Sequence, residues 1–92
     1  MHVILVYDIV VDDKGKKILP AVFKKCKKYL THIQNSVFEG NISVTSLASL
    51  KNDLAPYIRK DKDSVIIFAA REERWLKKEF WGKEEDLTSR FI

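Results

Sequence analysis

Two runs of consecutive apolar residues stand near the two ends of the first 70 positions. Residues 3–7 are apolar or aromatic throughout and lead into Asp8, and residues 65–70 form a second run directly after Ser64. Uninterrupted runs that are rich in β-branched residues are typical of strands buried on both faces. The pattern therefore predicts two central strands.

Between these runs the apolar spacing changes to steps of three and four, which places the apolar residues on one face of a helix. The stripe of the first helix consists of Ile18, Leu19, Val22, Phe23, Cys26, Tyr29 and Leu30. Asp12 or Asp13 can cap its N-terminus. Pro20 fits the first turn, so we expect regular helix from Lys16 or Lys17, with a kink if the helix starts earlier.

The segment at 31–42 combines β-branched and aromatic residues with a polar run at Gln34, Asn35 and Ser36. Two short strands, or one strand broken there by a bulge, both fit this pattern. The residues alone leave these two alternatives open.

A second helix is predicted after Ser43, which is a good N-cap residue. Its core face carries Leu47, Leu50, Leu54 and Ile58. Pro56 is expected to end this helix near Ala55. Beyond the second apolar run, residues 71–86 are rich in charge and fit either a helix or a short strand, and 87–92 indicates a terminal strand.

The order of predicted elements is strand, helix, one or two strands, helix, strand. This order fits an α+β fold of the ferredoxin-like βαββαβ type, an antiparallel sheet with two helices on one face. We expect one domain over 1–92, with its core in about 1–70. The extension at 71–92 has no place in a four-stranded core, so we expect its strand to pair with the sheet edge of a second copy in a homodimer.

The charge balance is moderately basic and permits a polyanionic partner. The chain has 17 Lys and Arg residues against 13 Asp and Glu residues, which gives a net charge of +4 at pH 7. Much of this charge falls on the outer face of the first helix, at Lys16, Lys17, Lys24, Lys25, Lys27 and Lys28. Such a face is either simply solvated or follows a phosphate backbone.

Several classes of protein are disfavoured by the composition. The single Cys26 cannot form an internal disulfide, which fits a reducing cytoplasm, and its place on the apolar stripe predicts a buried core thiol. No segment resembles a secretory signal or reaches the length of a membrane span, so we expect no membrane partner. His2 and His32 lack zinc-ligand spacing with any Cys, and no glycine-rich phosphate loop is present.

Asp8 is the strongest candidate for chemistry because it closes the first apolar run. A carboxylate at the end of a rigid strand can be half-exposed and well positioned, which suits a metal ligand. The alternative is a structural role, in which Asp8 opens a turn or caps the following helix. The strand pattern by itself is compatible with both.

Four short motifs, taken in order, resemble a known family. They are VYDI at 6–9, DD at 12–13, QNSVFEG at 34–40 and DSVII at 63–67, with a helix of Leu-x-x-Leu type before the last. These motifs resemble the small CRISPR-associated ferredoxin-like nucleases of the spacer-acquisition module. The match runs over essentially the whole chain, and the QNSVFEG run is its most specific part.

The resemblance implies a metal-dependent phosphodiesterase. It implies a symmetric homodimer in which Asp8 of each copy faces the other, so that the pair binds one Mg²⁺ or another divalent cation such as Mn²⁺. The implied activity is cleavage of single-stranded RNA or double-stranded DNA. The implied assembly is the central dimer of an integrase complex that inserts spacers into the CRISPR array, where the integrase subunit performs the chemistry.

The resemblance also implies residue roles, with Asp8 as the catalytic, metal-binding acid. The nucleic-acid-binding candidates, by motif match or by charge, are Lys16, Lys17, His32, Ser36, Phe38 and Arg71. Ser36 and Phe38 match a hydroxyl and an aromatic that the family places near the cleft. Lys16 and His32 stand where many members have Arg. Lysine keeps the charge but not the bidentate fork, and a neutral His has no charge.

The same fold also supports other functions. The main alternative is a non-catalytic scaffold that binds duplex DNA and an integrase partner through the lysines of the first helix. A ferredoxin-like RNA-binding module needs a Gly/aromatic signature, which is missing although Tyr7 and Phe68 are present. A ligand-sensing regulatory domain fits by shape alone, because a fold does not fix a function.

Overall fold

The protein folds into a four-stranded antiparallel sheet and two helices, and the computed structural model describes residues 1–82. In chain order the elements are β1 His2–Asp8, α1 Asp13–Tyr29, β2 Thr31–Gln34, β3 Val37–Asn41, α2 Val44–Leu54 and β4 Ser64–Ala70. The strands lie in the order β2-β3-β1-β4. The predicted α+β fold with the βαββαβ order of elements is confirmed.

Strand β1 lies at the centre of the sheet and organises the core. It pairs antiparallel with β3 along one edge and with β4 along the other. Its alternate residues Val3, Leu5 and Tyr7 lie on the helix side and are at most 5% exposed. Val22 and Cys26 of α1 are fully buried in the same core. Burial raises the pKa of the Cys26 thiol to about 12, and the predicted core thiol is confirmed.

The other face of the sheet carries no α-helix in the described part of the chain, and its surface on β4 and the adjoining part of β1 is apolar. Ile66 and Phe68 of β4 are 49% and 52% exposed. Ile4 and Val6 lie beside them on β1 and are half-buried. The prediction that the first run forms a central strand is confirmed, and the prediction that the second run is a central strand buried on both faces is wrong. Both helices pack on one face, and β4 is an edge strand.

Asp12, one of the two predicted candidates, is the N-cap of α1, and the helix begins at Asp13, earlier than the predicted start at Lys16 or Lys17. The Asp12 carboxylate accepts a hydrogen bond from the Gly15 amide at 2.7 Å. A β-carbon on Gly15 would lie 1.8 Å from the Val10 carbonyl oxygen, so this tight entry requires glycine. Pro20 consequently lies inside the helix, where it has no N–H to donate to the Lys16 carbonyl.

A β-hairpin occupies residues 31–42. The strands β2 and β3 pair antiparallel, with an irregularity in the ladder between His32 and Gln34. Asn35, in the connection between the strands, has φ 42° in the left-handed region. Asn adopts this region more readily than most residues, which explains why the polar run makes a turn. Of the two alternatives, two short strands is the one that forms.

Helix α2 forms as the sequence predicts. Ser43 is the N-cap and accepts a hydrogen bond from the amide three residues later at 3.0 Å. The helix ends at Leu54, with Ala55 as its C-cap directly before Pro56. Leu50 and Leu54 are buried in the core, so the predicted apolar face is confirmed.

The chain beyond β4 is largely irregular up to residue 82. A single 3₁₀ turn at Glu73–Trp75 is the one helical element there, and neither predicted alternative, a longer helix or a strand, forms in these described residues. The terminal strand predicted at 87–92 lies outside the described residues. No helix in the described part combines the length and the apolar composition needed to cross a membrane.

Candidate metal and nucleic-acid site

Asp8 is the last residue of β1, and its side chain is exposed. Asp8 lies opposite Ser64 of β4, so the backbone that carries the carboxylate belongs to a strand held on both edges. The hydrogen bonds and ion pairs among residues 1–82 do not include this carboxylate. Its oxygens are therefore open to an external cation or donor.

The Asp8 carboxylate can serve as one ligand of a hard divalent cation, because such a cation prefers oxygen donors. The three-residue cluster that could hold a metal among the described residues does not include Asp8. Burial raises the pKa of the preceding Tyr7 to about 12, so its phenol stays protonated at neutral pH. Asp8 is therefore the acidic side chain that the end of β1 itself presents to solvent.

Arg59, a residue that the sequence pattern did not indicate, fixes the loop after Asp8. Its guanidinium forms ion pairs with Asp12 and Asp63. Hydrogen bonds from Arg59 hold the pKa of Asp12 and of Asp63 well below the usual range of a carboxyl group. Asp63 and Asp12 in turn raise the pKa of Arg59. The only signal in the sequence was the four-residue step from Arg59 to Asp63 in a charged turn.

Three of the predicted contact residues lie at the same end of the sheet as Asp8. The Tyr7 amide donates to the Ser36 carbonyl at 3.2 Å, so the β2–β3 connection flanks the end of β1. Lys16 and Lys17 lie in the first turns of α1, which starts at this end, and both are exposed. Ser36, Lys16 and Lys17 therefore lie on segments at the same end of the molecule as Asp8.

Phe38 does not lie on a surface that a nucleic acid can reach. It is fully buried, with its ring centroid 6.1 Å from Tyr7 and 5.3 Å from Phe23. The structure thus assigns Phe38 to the core and corrects its prediction as a nucleic-acid contact. His32 packs against both Phe23 and Phe38, and its Nε2 donates to the Asn35 carbonyl at 2.8 Å. This half-buried His32 ring is also occupied by structural contacts.

Arg71 lies at the opposite end of the sheet from Asp8. Strand β4 runs antiparallel to β1, so that Ser64 pairs with Asp8 and Ala70 pairs with His2. Arg71 directly follows Ala70, and a strand of this length separates the two ends by about 20 Å. Within one chain the structure therefore does not bring Arg71 to Asp8.

A second polar cluster, which the sequence did not indicate, lies near His2. His2 Nε2 is 2.9 Å from Glu39 Oε2, and Lys78 contacts the other Glu39 oxygen. One ligand atom each of His2, Glu39 and Glu73 lie within 4.8 Å of one another. Burial opposes ionisation of Glu39, but hydrogen bonds with Lys78 and His2 outweigh it and lower the Glu39 pKa. Because Lys78 already compensates the carboxylate, this cluster is an ion-pair network.

The outer face of α1 carries a basic surface. A shallow depression there is lined by Ala21, Phe23, Lys24, Lys25, Lys27, Lys28 and Tyr57, none of them acidic. Lys27 Nζ lies 5.8 Å from the ring centroid of Phe23, and Lys28 Nζ lies 5.5 Å from that of Tyr29. The ammonium groups of these two lysines therefore lie over aromatic rings, within the range of a cation–π contact.

Known proteins match this chain over most of its length. The family model described as CRISPR associated protein Cas2 matches residues 1–78. The CRISPR-associated endoribonuclease Cas2 of Fusobacterium nucleatum is 50% identical over 92 residues, which are 100% of this chain and 87% of that protein.

Solved structures of similar proteins share the fold. One described as the crystal structure of Cas2 has a TM-score of 0.80 and 33% identity, and covers 100% of this chain and 98% of that chain. The Streptococcus pyogenes Cas2 structure at pH 6.5 has a TM-score of 0.73 and 28% identity, and covers 87% of this chain and 100% of its own. The chain therefore belongs to the Cas2 family of CRISPR-associated proteins.

Proposed function

We propose that this chain is a CRISPR-associated, metal-dependent endoribonuclease that acts as a homodimer, with Asp8 as its metal-binding acid. The observation that carries the proposal is the exposed Asp8 carboxylate at the end of a rigid central strand, with no partner among residues 1–82. The name of the Fusobacterium nucleatum relative, which is 50% identical over the full chain, also supports an endoribonuclease.

The second carboxylate ligand is taken from a second copy, because Asp12 and Asp63 of the same chain are already paired with Arg59. Mg²⁺ is held in proteins by one or two carboxylates together with waters, so two Asp8 residues across a twofold axis suffice. The open sheet face supports such pairing, since Ile66 and Phe68 leave an apolar surface exposed on β4. Without a cation between them, the two carboxylates would repel each other.

Four residues at this end of the molecule have separate roles in binding and orienting RNA. The Asp8 carboxylate holds the cation through a hard oxygen ligand. Magnesium, when bound, supplies a Lewis acid that polarises the phosphate and lowers the pKa of a coordinated water. Lys16 and Lys17 attract the RNA backbone as point charges, and the Ser36 hydroxyl donates one hydrogen bond to a phosphate oxygen.

The same dimer would serve in spacer acquisition as the central platform of an integrase complex. In that assembly the integrase subunit performs the chemistry, and this protein binds double-stranded DNA. Duplex DNA is accordingly a second substrate to test alongside single-stranded RNA. The platform role and the cleavage of duplex DNA both rest on the resemblance of the motifs at 6–9 and 34–40 to the family.

Exchange of Asp8 for Asn tests the nuclease directly. Asn keeps the shape of the side chain but removes the negative charge that the metal site needs, so we expect cleavage to fall on the order of a hundredfold or more. Cleavage of single-stranded RNA and duplex DNA is measured with Mg²⁺ and with EDTA. The thermal unfolding midpoint should stay at the wild-type value, because the exposed Asp8 carboxylate has no described partner.

Asp13→Asn is the matched control for this experiment. Asp13 is an exposed acid in the first turn of α1, close to Asp8 along the chain, and carries no proposed role. Its variant should cleave at the wild-type rate. Cleavage that persists in Asp8→Asn, or that survives EDTA, would mean that the proposed site does not perform the reaction.

The basic surface on α1 favours a second candidate function, a non-catalytic scaffold that binds duplex DNA. Its four lysines form a continuous positive surface without an acidic neighbour among the residues lining the depression. Each phosphate contact releases condensed counterions, so affinity for DNA should fall steeply with salt. The two functions are compatible because the lysines lie on the middle and end of α1, away from its start near Asp8.

Charge reversal on the helix separates this role from cleavage. Lys27→Glu combined with Lys28→Glu should weaken binding to duplex DNA and reduce the slope of log affinity against log salt by about 0.9 for each lost phosphate contact. Lys60→Glu, an equal change per site at an exposed position outside this surface, is the control. An unchanged salt slope in the double variant would refute the scaffold role.

A further inference from the structure

Arg59 connects three segments around Asp8 through its planar guanidinium. Nη1 donates to both carboxylate oxygens of Asp12, at 2.7 and 2.8 Å. Nη2 donates to the Val10 carbonyl oxygen at 2.9 Å, and Nε donates to Asp63 Oδ2 at 2.8 Å. These hydrogen bonds join the loop after Asp8, the N-cap of α1 and the turn that leads into β4.

Asp63 holds Arg59 in this position. The Asp63 side chain is 0% exposed. It also accepts hydrogen bonds from the Val10 amide at 3.0 Å and from the Arg59 amide at 2.9 Å. The amide and the carbonyl of Val10 are thus both fixed, one by Asp63 and the other by Arg59. A buried carboxylate with this many donors has a single orientation.

The hydrogen bonds of Arg59 and Asp63 fix the chain on two sides of Asp8, once shortly after it in sequence and once beside its cross-strand neighbour. Val10 follows Asp8 by two residues, and Asp63 directly precedes Ser64, the cross-strand neighbour of Asp8. We propose that Arg59 is a positioning residue for Asp8, which fixes the direction in which the end of β1 presents its carboxylate. The proposal rests on the nuclease function proposed above, because it concerns the same acid.

Arg59 contributes to stability through its ion pairs with Asp12 and Asp63, so its positioning role has to be measured on the kinetics of the folded protein. Arg59 lies outside the apolar core, so its replacement leaves no core cavity. A lysine ammonium at this place cannot bridge Asp12, Asp63 and the Val10 carbonyl at once, because it lacks the planar fork. Misplacement of a reacting group by about 1 Å lowers a rate on the order of a hundredfold.

The test compares Arg59→Lys with Lys62→Ala in the full-length protein, by RNA cleavage over a Mg²⁺ titration. Lys62 Nζ pairs with Asp12 at 3.2 Å but lies in an exposed side chain outside the Val10 and Asp63 contacts. We expect Arg59→Lys to lower kcat about tenfold to a hundredfold and to raise the Mg²⁺ requirement, with KM for RNA within about twofold. For Lys62→Ala, the kcat, the Mg²⁺ requirement and the KM for RNA should each stay within about twofold of the wild-type value.

Asp12→Asn provides a second variant in case Arg59→Lys folds poorly. Asn caps a helix about as well as Asp, but it cannot form the charged bidentate pair with Arg59. Its kcat should fall about threefold to tenfold, an intermediate loss. A purely structural role would reduce the folded fraction and leave the kcat and the Mg²⁺ requirement of the folded protein unchanged, and that result would overturn the proposal.

Metal binding separates failure of this proposal from failure of the nuclease. If the wild type cleaves RNA and Arg59→Lys cleaves equally well at equal Mg²⁺, the nuclease stands and the positioning role is overturned. If the wild type does not cleave, the nuclease falls, and Mn²⁺ broadening of the Asp8 backbone NMR signals is compared instead. Weaker broadening in Arg59→Lys supports positioning, and equal broadening overturns it.

Discussion

Phe38 is the largest fully buried side chain of the described core. It lies on β3 opposite Leu5 of the central strand, and its ring contacts Tyr7, Phe23 and His32. Aromatic pairs at these centroid distances add to the stabilisation that burial alone supplies. At the scale of single residues, Phe38 is therefore the side chain whose loss should cost the most stability.

Phe38→Ala should lower the free energy of unfolding by about 3–5 kcal/mol, because it removes a buried ring and leaves a cavity. The measurement is urea unfolding at a fixed protein concentration. Val44→Ala, at a side chain that is 73% exposed, is the control and should change stability by less than about 0.5 kcal/mol. A loss below about 1 kcal/mol for Phe38→Ala would contradict its assignment to the core.

The start of α1, the loop after β1 and the turn before β4 form one electrostatic unit at the scale of elements. Arg59 lowers the pKa of both Asp12 and Asp63 below the ordinary value of 3.8. A carboxyl whose pKa is lower in the folded state stabilises the fold above its unfolded pKa. That contribution is lost as the pH falls from about 4 downward, through the folded-state pKa.

The Asp12→Asn variant isolates this effect. Its unfolding midpoint should lie below that of the wild type at about pH 6, and the difference should shrink as the pH falls toward about 2.5. The reason is that the unfolded wild type binds a proton at Asp12 over this range while the Arg59 pair keeps the folded-state carboxylate ionised, and Asn has no such proton to bind. Thermal unfolding over this pH range measures the difference. A difference that stays constant with pH would show that the Arg59 pair does not carry it.

The elements differ in how far local sequence determines them. Helix α2 follows directly from Ser43 and Pro56, because both of its ends are set by neighbouring residues. For α1 the Asp12 cap was among the predicted candidates, but Pro20 wrongly suggested a later start of the regular helix. Arg59 holds that cap from 47 residues away. A contact between residues so far apart in the sequence produces no periodic pattern. For the same reason the sequence did not indicate the role of Arg59.

The burial of β4 could not be read from its composition. A continuous apolar run is expected both for a strand buried on two faces and for an edge strand whose outer face is covered by another molecule. Asp8, in contrast, could be named as a candidate because a single carboxylate at the end of an apolar strand is visible in the sequence. The sequence thus indicated the acid of the proposed site but not the hydrogen-bond network beside it.

The open sheet face is the main feature at the scale of the whole molecule. Ile66 and Phe68 on β4, with Ile4 and Val6 beside them, expose a contiguous apolar surface on a protein of 92 residues. Small monomers seldom leave such a surface to water. The proposed metal site requires a second copy of the chain as its partner. One homodimer would therefore both cover the apolar surface and supply the second Asp8.

Phe68→Glu should convert the proposed homodimer into a monomer, because it places a charge on this apolar surface. Analytical ultracentrifugation at micromolar concentration measures the mass, and the Mg²⁺-dependent cleavage of RNA should be lost together with the dimer. Val44→Glu adds the same charge at an exposed helix position and should remain dimeric and active. A Phe68→Glu monomer that retains full activity would rule out a shared site.

The sharing of one ion by two chains is tested most directly by the stoichiometry of metal binding. Titration of the metal-free protein with Mn²⁺, followed by calorimetry, should give one ion for every two chains at the high-affinity site. The Asp8→Asn variant should lose this binding step altogether. One ion for each chain, or an unchanged titration in Asp8→Asn, would contradict a metal site formed by Asp8 from two copies.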